Sequence, residues 1–187
     1  MKHLVFICVL LLSGCMFHRG DLLDLDEVPL KPVADVDLDR YMGRWYLIAN
    51  IPYFAERNNV AAYVEYRRGD DGLIEDDFSA RKSFDQPRFV KKGEIEIFPD
   101  THNAEGRITF NPFPGQDFTV LYVDKHYQYT VIGHPSRNFC WVFARQPAMP
   151  DEAYYKLLRV LSDNAFDVSR VLKIPHRPEQ QGTPGYQ

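Results

Sequence analysis

Short runs in which apolar and polar residues alternate, or in which β-branched and aromatic residues crowd together, cover most of this chain. They are Trp45 to Ile51, Val60 to Tyr66, Leu73 to Ala80, Phe89 to Phe98, Gly106 to Asn111, Phe118 to Val123, Tyr129 to Gly133 and Phe139 to Ala144. A period of two sends alternate side chains to opposite faces of an extended backbone, so these runs predict eight strands. Turn residues separate them: Gly69-Asp70-Asp71-Gly72 and Asn111-Pro112-Phe113-Pro114-Gly115 supply the positive or fixed φ that tight turns need. After the eighth run the period changes. Tyr154, Leu157, Leu158 and Leu161 recur at helical spacing behind Pro150, with Asp151 and Glu152 at the positive end of the dipole, which predicts a helix over about 150–164. A last apolar run, Phe166 to Ile174, is able to join a sheet edge. Eight meandering strands and one helix laid outside predict an all-β fold, an eight-stranded antiparallel up-and-down β-barrel whose closure removes exposed edges.

The two ends of the chain read differently. Lys2 precedes an apolar run from Leu4 to Leu12, interrupted only by Cys8, which is too short to span a bilayer and has the layout of an export signal. Leu12-Ser13-Gly14-Cys15 follows and resembles the lipobox of bacterial lipoproteins, which implies removal of residues 1–14 and acylation of Cys15. Several acyl chains hold a protein on a membrane durably, at about 0.8 kcal/mol per buried methylene. Met16 after that cysteine, where an inner-membrane retention signal would place Asp, implies the periplasmic face of the outer membrane. Residues 15–36, with Pro29, Pro32 and several acids, show no sustained period and are expected to be a linker, so the barrel domain is expected over 37–174. Residues 175–187, rich in Pro, Gly and Gln, are expected to be a disordered tail.

Length and composition agree with one globular domain: 187 residues, 45% hydrophobic and 14% aromatic. A net charge of -4 offers no broad attraction to phosphate backbones, so nucleic acid is not an expected partner. Once Cys8 is removed and Cys15 acylated, Cys140 has no cysteine with which to form an internal disulfide. A homodimer is compatible with the sequence.

Gly43-Arg44-Trp45, opening the first strand after a short helical turn at Leu38 to Met42, resembles the lipocalin signature. Val123-Asp124-Lys125-His126-Tyr127 between the sixth and seventh strands, and Arg145 ending the eighth, complete it. Arg40-Tyr41-Met42-Gly43-Arg44-Trp45-Tyr46 and Phe166-Asp167-Val168-Ser169 resemble in particular the bacterial lipocalins, outer-membrane lipoproteins related to apolipoprotein D. The similarity runs from about Asp37 to Ile174. Asp124 lacks the Thr that usually precedes it, which bears on the geometry of that turn. The resemblance implies that Gly43, Trp45, Asp124, Tyr127 and Arg145 are structural, with Arg145 stacked on Trp45 to plug the closed end.

With Trp45 and Arg145 inside, alternation places Leu47 and Ala49 inward on the first strand, and Phe139, Trp141 and Phe143 inward on the eighth. Cys140 then faces out, away from where a thiol-dependent isomerase would need it. The family pattern implies inward Ala62, Val64 and Tyr66 on the second strand and Ile95 and Ile97 on the fourth. It likewise implies Ile108 and Phe110 on the fifth, Phe118, Val120 and Tyr122 on the sixth, and Ile132 on the seventh. On the third strand either Ile74, Asp76 and Phe78 or Leu73, Glu75 and Asp77 face in, and the first set is preferred because it buries two apolar side chains. Such a lining, with phenols at Tyr66 and Tyr122, suits a long apolar chain with one polar end, and the family implies a fatty acid such as palmitate, or a lysophospholipid. The abundant Phe and Tyr favour one slim chain over a bulky ring system.

No enzyme signature competes with binding: Gly-x-Ser-x-Gly, His-Glu-x-x-His, phosphate loops and Cys-x-x-Cys do not occur. Chemistry on a hydrophobic substrate, as in isomerase-like members of the superfamily, is the alternative. His18, His102, His126, His134 and His176 stand at no zinc spacing, so no metal is expected. Asp70, Asp71, Glu75, Asp76 and Asp77 lack the spaced ligands of a calcium loop. Lys91 and Lys92, beside Arg88, form a solvated face or, near the mouth, partners for a ligand carboxylate or phosphate. Cys15→Ala is expected to move the protein from the membrane to the soluble fraction with an unchanged melting temperature. Recovery of the variant in membranes would count against the anchor.

Overall fold

The structure, a computed structural model, describes residues 29–187, so the signal segment, Cys15 and most of the expected linker lie outside it. Helix α1 (Leu38–Tyr41) leads into β1 (Gly43–Ile51), followed by β2 (Val60–Arg68), β3 (Ile74–Arg81), β4 (Phe89–Ile97), β5 (Glu105–Thr109), β6 (Gln116–Val123), β7 (Tyr129–Gly133) and β8 (Cys140–Ala144). Helix α2 (Asp151–Asp163) and a two-residue strand, β9 (Leu172–Lys173), complete the order. Each of the eight long strands pairs antiparallel with its sequence neighbours, and β1 pairs with both β2 and β8, which closes the barrel. β9 adds to β1 through Ala49 and Asn50.

The first turn shows why the sequence enters the barrel as it does. The Asp37 carboxylate accepts from the amides of Asp39 and Arg40, capping α1. Gly43 takes φ +89°, a conformation that only glycine adopts at little cost, and so turns the chain from α1 into β1. Trp45, fully buried, donates its indole N–H to the Tyr41 carbonyl at 2.8 Å. The Arg145 guanidinium lies 3.8 Å from the Trp45 ring centre and donates to the carbonyls of Arg44 at 2.8 Å, Arg40 at 2.7 Å and Tyr127 at 3.2 Å. The Asp124 carboxylate accepts from the amides of His126 at 2.9 Å and of Gln128 and Tyr129 at 2.6 Å each. The turn is thus satisfied without the preceding Thr. Tyr127, at φ +56°, accepts from the Asp37 amide at 2.8 Å through its phenol oxygen, tying this turn to the start of α1.

Helix α2 lies on the outer wall. Its buried Tyr154, Leu157 and Leu161 meet Leu121, Val131, Cys140 and Val142, which point away from the barrel interior. Two bulges change the expected parity here. In β1 the register shifts between Leu47 and Ala49, so Ile48 and Ala49 both face the outer cluster and Ala49 is not inward. In β6 the register shifts between Val120 and Tyr122, so Leu121 and Tyr122 both face out and the Tyr122 phenol accepts from Lys156 of α2 at 2.8 Å. An inserted residue reverses every side chain beyond it, which simple alternation does not anticipate.

Both expected domain limits also move. Residues 29–36 hold the barrel rather than linking to it: the Val33 amide donates to Val120, the Val36 amide donates to His102, and Val36 is buried. Leu30, Val33 and Val36 recur every third residue, a strap whose apolar spacing the two prolines hide. Residues 175–187 fold back along β1 instead of forming a disordered tail. His176 Nε2 is 2.8 Å from the Leu47 carbonyl, and the Gln187 side chain donates to Asn50 at 2.6 Å. Backbone bonds add to these: the Gln187 amide donates to Lys173, and the Lys173 amide donates to Gly185. Trp45→Ala is expected to cost about 3 to 5 kcal/mol, the usual penalty for deleting a large buried aromatic. An unchanged melting temperature would remove the indole from its assigned role at the closed end.

Candidate functional site

The strands enclose a cavity of about 530 Å³, within the usual range for small-molecule sites. It is closed at the end where Trp45 and Arg145 lie and opens among the loops that follow β1, β3, β5 and β7. Val36, Leu38, Met42, Tyr66 and Ile74 form its floor. Val64, Ile95, Ile108, Val120 and Ile132 make the aliphatic middle. Toward the mouth the wall turns aromatic, with Phe78, Phe110, Phe118, Phe139 and Trp141. Ile97 lines it too. These include thirteen of the seventeen cavity positions expected from the sequence. Leu47 and Ala62 are buried in the same core as Trp45 but do not reach the cavity surface. Ala49 and Tyr122 face outward, as described above, so Tyr66 is the only one of the two expected phenols to line it.

Loop residues supply what strand parity missed. The segment after β1 makes a 3-10 turn, Phe54–Glu56, over the mouth. Glu56 accepts from the Trp141 indole at 2.9 Å, the Asn50 side chain at 3.1 Å and the Tyr53 amide at 3.3 Å. Burial raises its carboxyl, although all three bonds favour the charged form. Phe54 and Phe113 stand on the rim at 67% and 49% exposure, and Lys91 and Lys92 bring cations to the mouth. None of these loop contacts has a periodic signal, though the apolar residues within turn-rich segments are visible as Phe54 and Phe113.

The third strand takes its preferred orientation, so Asp76 points inward between Ile74 and Phe78. It is 2% exposed, and its Oδ1 has no hydrogen-bond partner. Burial, with smaller contributions from Asp77 and Glu56, pushes its carboxyl up to about 8, so the neutral acid predominates at pH 7. Directly paired Tyr66 on β2 has its phenol raised by the same burial, with Asp76 adding to it. On the outer wall, burial beneath α2 pushes the Cys140 thiol up to about 12. Among the described residues, no three His, Cys, Asp or Glu side chains converge as metal ligands.

A barrel closed at one end around an apolar cavity is the architecture of known proteins. Residues 36–176 match the family model for the lipocalin-like domain. Temperature-induced lipocalin-1 of Arabidopsis thaliana is 30% identical, covering 85% of this chain and 91% of its own. Outer membrane lipoprotein Blc of Vibrio cholerae is 26% identical, covering 91% of this chain and 95% of its own. Among solved structures, insecticyanin from the tobacco hornworm Manduca sexta superposes with a TM-score of 0.65 at 20% identity, covering 86% of this chain and 89% of its own. The cavity, its Trp45–Arg145 plug and the match across most of its length together place this chain in the lipocalin family, whose barrels bind small hydrophobic ligands.

Proposed function

We propose that the protein binds the acyl chain of a fatty acid or lysophospholipid, with the chain in the barrel and the anionic head at the mouth. The observation that carries this reading is the distribution of polarity: an apolar shaft open at one end, with Lys91 and Lys92 at that end. Lys91 stands directly opposite Phe78 in the β3–β4 ladder, on the strand face that lines the shaft. Aromatic side chains crowd the upper wall, which suits a single extended chain better than a fused ring system.

The protein works as a carrier or store held at a membrane by acylated Cys15, on the periplasmic face of the outer membrane. Support comes from the lipobox-like Leu12-Ser13-Gly14-Cys15 and from relatives named as outer membrane lipoproteins. A binding role is preferred to a thiol-dependent reaction because Cys140 lies on the outer face, buried under α2 and held as the unreactive thiol.

Large side chains separate the cavity from the outer face. Val64→Trp and Val120→Trp fill the shaft and are expected to weaken binding of a fluorescent fatty acid at least tenfold. Glu94→Trp and Glu96→Trp, exposed on the opposite face of β4, are expected to leave it within about twofold, their small effect being usual for surface sites. Equal affinity across all four folded variants would move the ligand out of the barrel.

A further inference from the structure

The acyl-chain reading accounts for the apolar shaft and the cationic mouth but not for Asp76. A carboxyl oxygen buried without a partner is costly, and Asp76 is flanked on its own strand face by Ile74 and Phe78, which offer none. Position gives it a use. Asp76 lies deep, five residues before Arg81 at the mouth end of β3, or about 16 Å along the strand. It pairs with Tyr66 of the floor, so the end of a chain that extends to the floor meets it.

We propose that Asp76 receives a hydroxyl group carried at the far end of the bound chain, so that the preferred ligand is a hydroxylated acyl chain. This rests on the reading that an acyl chain enters the barrel with its head at Lys91 and Lys92. The groups facing Asp76 define what it can bind. Tyr66 is its paired residue on β2 and Gly93 its paired residue on β4, and paired side chains on one face are neighbours. The Phe110 ring fills the place beside Gly93, since a Cβ there would lie 2.7 Å from it. Asp77 on the same strand and Glu56 at the mouth are the charges acting on Asp76, both negative, and both favour the neutral acid that burial already favours. Lys91, two residues from Gly93 toward the mouth, forms no ion pair with it.

A neutral carboxyl presents one donor and one acceptor, and an alcohol presents the same pair. The Tyr66 phenol, lining the same stretch, adds a further donor or acceptor. An ammonium group would offer donors alone and would have to shed its water beside a single carboxylate, a penalty that one partner does not offset. A plain methyl end would leave Oδ1 buried and unpaired.

The test is displacement of a fluorescent fatty acid from the purified full chain by laurate, ω-hydroxylaurate and laurylamine. Wild type is expected to bind ω-hydroxylaurate about tenfold more tightly than laurate, as for one good hydrogen bond that also satisfies a buried group. Asp76→Leu is expected to abolish or reverse that preference, and Asp76→Asn, which keeps a donor and an acceptor, to retain most of it. Equal affinity of wild type for the two acids would overturn the proposal while leaving the acyl-chain reading intact, and this comparison needs no variant to fold. Tightest binding by laurylamine would overturn it in favour of a cation. Failure of the fluorescent fatty acid itself to bind would instead overturn the acyl-chain reading on which the proposal rests.

Discussion

The Arg145 guanidinium spreads over the Trp45 ring at 3.8 Å while its N–H groups reach the carbonyls of Arg40, Arg44 and Tyr127. A closed sheet has no free edges but has two open ends, and water entering both would leave a channel rather than a pocket. A flat cation suits this end because it covers an aromatic face and fans out donors to several backbone acceptors at once, a geometry that lysine cannot copy. The acceptors come from α1 and the adjoining start of β1, and from the β6–β7 turn far along the chain. One side chain therefore ties together the elements whose positions define the cavity floor. The Tyr127 phenol, bonded to the Asp37 amide, and the Asp124 carboxylate, bonded to three amides of its own turn, hold the same end from the other side.

With one end sealed, the interior divides by the polar groups it tolerates. Glu56 and Asp76 are both carboxyls raised by burial, but their surroundings differ. Glu56 gathers three donors and so positions the loop over the mouth, with the Trp141 indole as one of them. Asp76 gathers none on Oδ1. The first is accounted for by architecture, whereas the second lines the cavity with no protein donor on that oxygen. At the floor, Tyr41 and Tyr66 both line the cavity, and the Tyr41 hydroxyl has a protein partner in the Thr130 hydroxyl 3.1 Å away.

The outer wall follows a different logic. A barrel strand alternates in and out, and alternation alone would give α2 a sparse apolar surface. Bulges in β1 and β6 place Ile48 beside Ala49 and Leu121 beside Tyr122 on the outside, so that two successive side chains of each strand meet the helix cluster. Cys140, expected to face outward, is part of this seam and inert for the same reason that the seam is stable: burial among apolar neighbours disfavours the thiolate.

Local chemistry made much of this legible in advance. The period of two marked the eight barrel strands, the change to helical spacing at Tyr154 marked α2, and Gly43, Trp45, Asp124 and Arg145 marked the closed end, because each depends on residues near in sequence or on a motif with a defined place. Strand parity from Trp45 and Arg145 was enough to bring Val64, Ile95, Val120 and Trp141 to the cavity. It failed at Ala49 and Tyr122, where a bulge reverses orientation and leaves no trace in composition. The strap at 29–36 and the folded C-terminal end look like linker and tail in sequence because their order comes from hydrogen bonds to distant partners, Val120 and Asn50, that no window of sequence contains. Architecture and most of the apolar lining follow from local pattern alone. That Asp76 Oδ1 is left unpaired while Glu56 is not depends on the closed fold, since satisfaction of a buried group rests on which donors the barrel brings within reach.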